Sequence, residues 1–295
     1  MNAAMAVPRP EHGLRALGPG ALAAVSFGFS DIFTKLTLLA GSDALTLAAS
    51  RGVLGTLFIL AWLRAVPPRR SHTRSEQLTA LGIGLLFAGN LYLLFVAIRL
   101  VPVPIAILSY FVYSLLTGII GAAIGLERLR VTSAAAAVVA LLGLALMLGA
   151  GTAHLAWLGV GFAVSAALCR VATLLIARAV LSDADSRVTT WHSMLSSTAV
   201  FLLVALALCA PAFPHGTVGW IGFFGVCVCS TVSMLALFAS TVRIGAFRTA
   251  LIMNLEPVVS TLLSIAVLGE LLTPLQVLGA AIMLAALCAF QLRRG

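Results

Sequence analysis

Between Arg187 and Arg243 the chain carries no Lys, Arg, Asp or Glu. A bilayer crossing takes about 20 apolar residues, so this stretch is too long for one helix. Pro211, Pro214 and Gly216 interrupt it midway. It reads as two spanning helices joined by a short turn, because proline and glycine break helices. No soluble core could absorb two such runs placed end to end, so the solvent for this part of the chain is lipid.

The remainder follows the same pattern. Of the 295 residues 61% are hydrophobic and 9% charged, with mean hydropathy +1.13. Soluble domains carry about 25% charged residues. Ten spans are expected, at 17–39, 44–63, 77–98, 103–125, 131–152, 155–177, 188–210, 217–242, 248–268 and 273–292. The first run follows a short tail with Arg9, Glu11, His12 and Arg15 and is long enough to cross, so it is expected to stay as a helix rather than serve as a cleaved signal. Loops are short and leave no room for a soluble domain.

The net charge of +9 does not point to nucleic acid, since no basic cluster with interleaved aromatics is present. The basic residues sit at the ends of spans. With the N-terminus in the cytoplasm, the inner side receives Arg9, Arg15, Arg64, Arg69, Arg70, Arg74, Arg128, Arg130, Arg178, Arg187, Arg243, Arg248, Arg293 and Arg294. The outer side receives Arg99 alone. That bias sets both termini inside, in an inner (cytoplasmic) membrane. The cysteines Cys169, Cys209, Cys227, Cys229 and Cys288 all lie in apolar runs and share no ligand spacing with His or acids. They read as small buried side chains, and neither a metal nor another cofactor is expected.

The chain repeats itself. IGLERLRVTSAAAAVVALLGLALML (124–148) matches VLGELLTPLQVLGAAIMLAALCAF (267–290), setting Glu127 on Glu270 at an offset of 143. The same offset sets residues 92–108 on 235–251. Each copy holds an odd number of spans, so the second enters the bilayer from the opposite side. The expected architecture is all-α: a polytopic membrane protein of ten helices in two inverted five-helix repeats around a central cavity. Its parts are a tail at 1–16, a first repeat at 17–152, a second at 155–292 and a C-terminus at 293–295.

The stretch EPVVSTLLSIAVLGELLTPLQVLGAAIMLAA (256–286) resembles the C-terminal signature of the EamA family in the drug/metabolite transporter superfamily. FSDIFTKLTLLAGSDALTLAASRGVLG (29–55) resembles the first two helices of that family. The first-repeat counterpart of Glu256-Pro257 is Tyr113-Ser114. The resemblance implies a ten-helix inner-membrane exporter of amino acids, other small metabolites or drugs.

Ionisable groups inside a bilayer cost at least about 2.5–3.5 kcal/mol each on insertion scales, so they are functional candidates. Asp31 and Lys35 are one turn apart on the first helix and either pair or face the cavity. Arg51 snorkels outward, crosses to Asp31 or grips a carboxylate in its planar fork. Arg170 occupies the place of Asp31 at an offset of 139, a change of sign that suits a zwitterion; snorkelling to the inner interface is the alternative. Glu256 precedes Pro257, whose missing N–H is expected to free the Met253 carbonyl and kink the helix beside Asn254. Glu256 and Asp31 are the candidate proton sites. Uncharged candidates are Asn90, Tyr110, Tyr113 and Ser233. Glu127 and Glu270 read as helix-terminus residues.

These features together point to a secondary transporter that exports small polar metabolites, above all amino acids, by alternating access. Its partners would be the small molecule, the lipid bilayer and protons, with no nucleic acid. No P-loop is present to use ATP. Lipophilic cations or sugar phosphates are alternative cargoes on the same fold. An intramembrane enzyme or receptor is the alternative of another class, but no His-x-x-x-His or Gly-x-Ser-x-Gly motif appears in the spans.

Overall fold

The computed structural model describes residues 14–68, 70–127, 129–148, 156–208, 211–269 and 273–292. The expectations for residues 1–13 and 293–295, and for Arg69, Arg128, Cys209 and Glu270, lie outside them. The described chain is helical and contains no strand. In order the helices are α1 (Leu14–Leu39), α2 (Ala44–Ala65), α3 (Arg74–Leu100), α4 (Val103–Phe111), α5 (Tyr113–Ala123) and α6 (Val131–Met147). They continue with α7 (Trp157–Val180), α8 (Ser186–Leu208), α9 (Gly216–Ile244), α10 (Ala246–Ile252), α11 (Leu255–Leu268) and α12 (Pro274–Leu292).

Among the described residues eight stretches are long and apolar enough to cross a membrane, and α6 and α12 are shorter apolar helices. Two of the eight are single crossings made of two helices, Ile105–Ala123 and Ala246–Val267. Ten crossings result, as the sequence implies.

Local chemistry explains where several helices begin. Asp43 caps α2 by accepting the Thr46 N–H at 2.8 Å. At α3, Thr73 and Glu76 exchange side chain and backbone in a capping box. The Thr-Pro-x-Gln of the second repeat is another such box. Thr273 Oγ accepts the Gln276 N–H at 3.3 Å, Gln276 Oε1 accepts the Thr273 N–H at 2.9 Å, and Pro274 opens the helix. Gly269 closes α11 at φ +69°, a left-handed conformation that glycine adopts without strain.

Both broken crossings break at matching places, at Val112 in the first repeat and at Met253–Asn254 in the second. The second break differs from the expectation drawn from Pro257. The Met253 carbonyl is not free: it accepts the Glu256 N–H at 3.0 Å, and the chain turns there before Pro257 enters α11. Pro257 therefore sits in the first turn of a new helix, where its missing N–H removes nothing.

The packing carries the symmetry of the repeats. α1 packs on α9, and α3 packs on α7; these two pairs exchange when each helix is replaced by its repeat mate. α2 packs on α8 and α6 on α12, each helix against its own mate. Lipid supplies no hydrophobic drive between helices, so small residues decide these contacts. A Cβ on Gly143 would stand 2.8 Å from the Gly279 carbonyl oxygen, and one on Gly222 would stand 2.7 Å from Thr37 Oγ1.

Candidate functional site

A cavity of about 430 Å³ opens between α1, α2, α3, α4, α7 and α11. It reaches the end of the bundle that carries the α1–α2 turn, since Leu38 and Ala44 line it together with Phe95 near the end of α3. Its walls are largely apolar, with Phe27, Phe87, Leu91 and Ile107 among them. Its charged lining residues are Asp31, Arg51, Arg170 and Glu256.

The four charges come from four helices. Asp31, on α1, lies within reach of the Ser260 hydroxyl on α11 and interacts with Arg51 on α2. Glu256, at the start of α11, interacts with Asp31 and Arg170. Arg170, on α7, is 4% exposed. Its guanidinium carbon lies 5.5 Å from the Phe27 ring centre and 5.8 Å from that of Tyr113, close enough for cation–π attraction. Its Nε has no hydrogen-bond partner. A buried guanidinium edge without a partner, beside a cavity, is what a planar anion would satisfy.

Of the sequence candidates, Asp31, Arg51, Asn90, Tyr110, Arg170, Glu256 and Pro257 line the cavity together. Asn90 also donates from Nδ2 to the Ala166 carbonyl at 2.6 Å, which ties α3 to α7. Lys35, Tyr113, Ser233 and Asn254 lie off the lining. Lys35 is exposed one turn along α1. Tyr113 is 1% exposed and supports Arg170 from behind. The Ser233 hydroxyl donates to the Cys229 carbonyl of its own helix at 2.6 Å. Asn254 is fully buried at the break, donating to the Leu251 carbonyl at 3.0 Å while its Oδ1 has no partner. Ser260 and Thr261 line the cavity and were not singled out from the sequence. The signal was present for Ser260, one helical turn from Glu256 on the same face.

At the opposite end of the bundle the two repeats are tied together by a carboxylate. Glu127, following α5, accepts the N–H groups of Ala246 at 2.5 Å and Phe247 at 2.9 Å, at the junction of α9 and α10. The sequence reads it as a helix-terminus residue; the terminus it meets is the start of α10, in the other repeat. Burial pushes the Glu127 carboxyl up, against the pull of those two N–H groups and of Arg178 and Arg248. Among the described residues no cluster of three or more His, Cys, Asp or Glu comes together that could hold a metal ion.

The EamA-like transporter family matches the chain twice, over residues 16–149 and 157–290. The chain belongs to that family. The two matches divide it where the sequence repeat does, with five crossings in each part. An EamA-like chain of ten apolar crossings is a multi-pass membrane transporter, and the four-charge cavity lies between its two parts.

The threonine/homoserine exporter RhtA of Escherichia coli (strain K12) is 27% identical over 269 residues, covering 90% of this chain and 87% of the relative. RhtA of Salmonella typhimurium (strain LT2) is 26% identical over the same shares. A solved crystal structure superposes with a TM-score of 0.80 at 19% identity, covering 95% of this chain and 98% of that one. That likeness concerns the fold.

Proposed function

We propose that this EamA-like protein exports small zwitterionic metabolites, amino acids foremost, across the inner membrane by alternating access. The observation that carries the reading is the composition of the cavity. It pairs two acids, Asp31 and Glu256, with two arginines, Arg51 and Arg170, in one space of about 430 Å³. Small-molecule sites run at about 300–1,000 Å³. A lipophilic cation would want an acid-dominated wall and a sugar phosphate a basic one. The balanced wall suits a molecule with an ammonium at one end and a carboxylate at the other, and the identity to RhtA supports the same class.

Arg170 is the carboxylate anchor in this reading, because its guanidinium is buried, held by Phe27 and Tyr113, and has an unsatisfied edge. Asp31 and Glu256 receive the ammonium, and Ser260 and Asn90 supply further hydrogen bonds. Export requires the site to open to each side in turn as the repeats rock. The bias of Lys and Arg in the loops supports termini in the cytoplasm, and in that orientation the open end faces outward. Protons can share Asp31 or Glu256 with the ammonium, which would couple efflux to the proton gradient.

The test is exchange of labelled amino acids by purified protein in liposomes, with and without a pH gradient. Exchange of threonine, homoserine or another amino acid above protein-free liposomes supports the reading. If no amino acid exchanges while a lipophilic cation or a sugar phosphate does, the cargo assignment is lost.

A further inference from the structure

At the open, α1–α2 end of the cavity one carboxylate, Asp43, takes a single backbone N–H of the other repeat, that of Ala212. The contact at the other end is doubled. Here one carboxylate of the first repeat, Glu127, takes two backbone N–H groups of the second, Ala246 and Phe247, one on each oxygen.

The second repeat is shaped to receive it. Gly245 stands at φ +97°, and a Cβ there would lie 2.6 Å from Glu127 Oε1. Only glycine both turns the chain at that φ and leaves room for the carboxylate. The Phe247 ring, 4% exposed, seats against α5 where a Cβ on Gly118 would stand 2.6 Å from it. Arg178 donates to the Val242 carbonyl just before the junction.

What Glu127 grips is a short piece, α10, bounded by Gly245 on one side and by the Met253–Asn254 turn on the other. Immediately after that turn comes Glu256, in the cavity wall. The gripped junction thus lies at the start of a seven-residue helix, and the cavity carboxylate lies in the first turn of α11, just past the joint at that helix's other end. A movement of α10 off Glu127 shifts Glu256, and a change at Glu256 pulls on the grip.

We propose that Glu127 is a gating residue. Its carboxylate latches the two repeats together while the cavity is open at the α1–α2 end, and it must release Ala246 and Phe247 before the cavity opens to its own side. An ordinary helix-end carboxylate would stabilise the fold without affecting which side of the membrane reaches the site.

The inference rests on alternating access but not on the cargo. The experiment places one cysteine in the cavity wall, Leu91→Cys, in a chain whose five native cysteines are replaced. It is labelled with a membrane-impermeant maleimide from each side of oriented vesicles. The expected result is labelling from the α1–α2 side in the parent. In Glu127→Ala, labelling from the Glu127 side should rise about tenfold, as loss of a charge-assisted contact shifts a two-state population.

Glu127→Gln keeps the shape and one good acceptor, and should give a smaller rise. If Glu127→Ala does not fold, Glu127→Gln decides alone. Folded variants labelled from the Glu127 side no faster than the parent overturn the proposal, as does a parent labelled equally from both sides. If amino acids fail to exchange yet the labelling responds, the cargo reading falls and the gate stands.

Discussion

The two repeats break their fourth helix at the same place and put different chemistry there. In the first repeat the break at Val112 is followed by Tyr113 and Ser114, both buried. In the second the break at Met253–Asn254 is followed by Glu256 and Pro257, both in the cavity wall. The first crossing brings Asp31 to the cavity and the sixth brings Arg170, of opposite charge. The pseudo-symmetric scaffold makes a pair of half-helices that point into one space. Divergence of the two copies then fills that space with unlike groups, so a site between symmetric halves can bind a ligand whose two ends differ.

Removing the charge that distinguishes the second repeat is the strongest way to break this comparison. Arg170→Leu should lower amino-acid transport about a hundredfold with the folded protein retained, since losing one partner of a desolvated charged contact costs about 2–5 kcal/mol. Transport at the parental rate would remove Arg170 as the anchor. Glu256→Gln should cost about tenfold, the scale of one charge-assisted hydrogen bond. Transport of labelled threonine into liposomes measures both, alongside yield of monodisperse protein.

Tyr113→Phe tests whether the first-repeat member of the pair acts through Arg170. It keeps the ring that faces the guanidinium and removes only the hydroxyl. A rise of about threefold in KM with little change in kcat is expected, from a contact worth about 0.5–1 kcal/mol. A loss in kcat alone would contradict a positioning role.

The smallest effects should come from what the repeats share. Asp43 and Asp185 stand just before the second helix of each half. Asp43 bonds the Thr46 and Ala212 N–H groups at 2.8 and 3.0 Å, and Asp185 bonds the Arg187 N–H at 2.9 Å. Asp43→Ala and Asp185→Ala should each cost about 1 kcal/mol of stability, read as a lower thermal midpoint in detergent, and leave selectivity alone.

Burial by itself would raise the Asp43 carboxyl, but hydrogen bonds to Thr46, Ala212 and Leu45 outweigh it and hold the group below the usual carboxylate range. Its folded-state pKa is thus below the unfolded one. The stability it lends is therefore present above the ordinary carboxylate value and lost as pH falls through the lowered one. In Asp43→Asn that acid-side loss should be smaller, a difference that thermal melts at several pH values would show.

Legibility differed between the scaffold and the site. The crossings were readable because each is a long apolar run, whereas the caps at Thr73 and Thr273 that start two of the helices were not singled out. Four charged candidates meet in the cavity because a charge in a bilayer has few places to go. Lys35, one turn from Asp31 on the same helix, is exposed and is not among the residues that line the cavity, although Thr34 and Leu38 on either side of it are. The Met253 carbonyl was misassigned because the chain turns at Met253–Asn254, three residues ahead of Pro257, so that the Glu256 N–H reaches it.

The sequence by itself determined the solvent, the number of crossings and their duplication, since hydropathy and repetition are carried residue by residue. Only the tertiary structure decided which charges face one another and that Glu127 reaches across to Ala246 and Phe247. The physical reason is that those contacts join residues on different helices, and their partners are backbone groups or helix faces whose identity a side chain does not reveal.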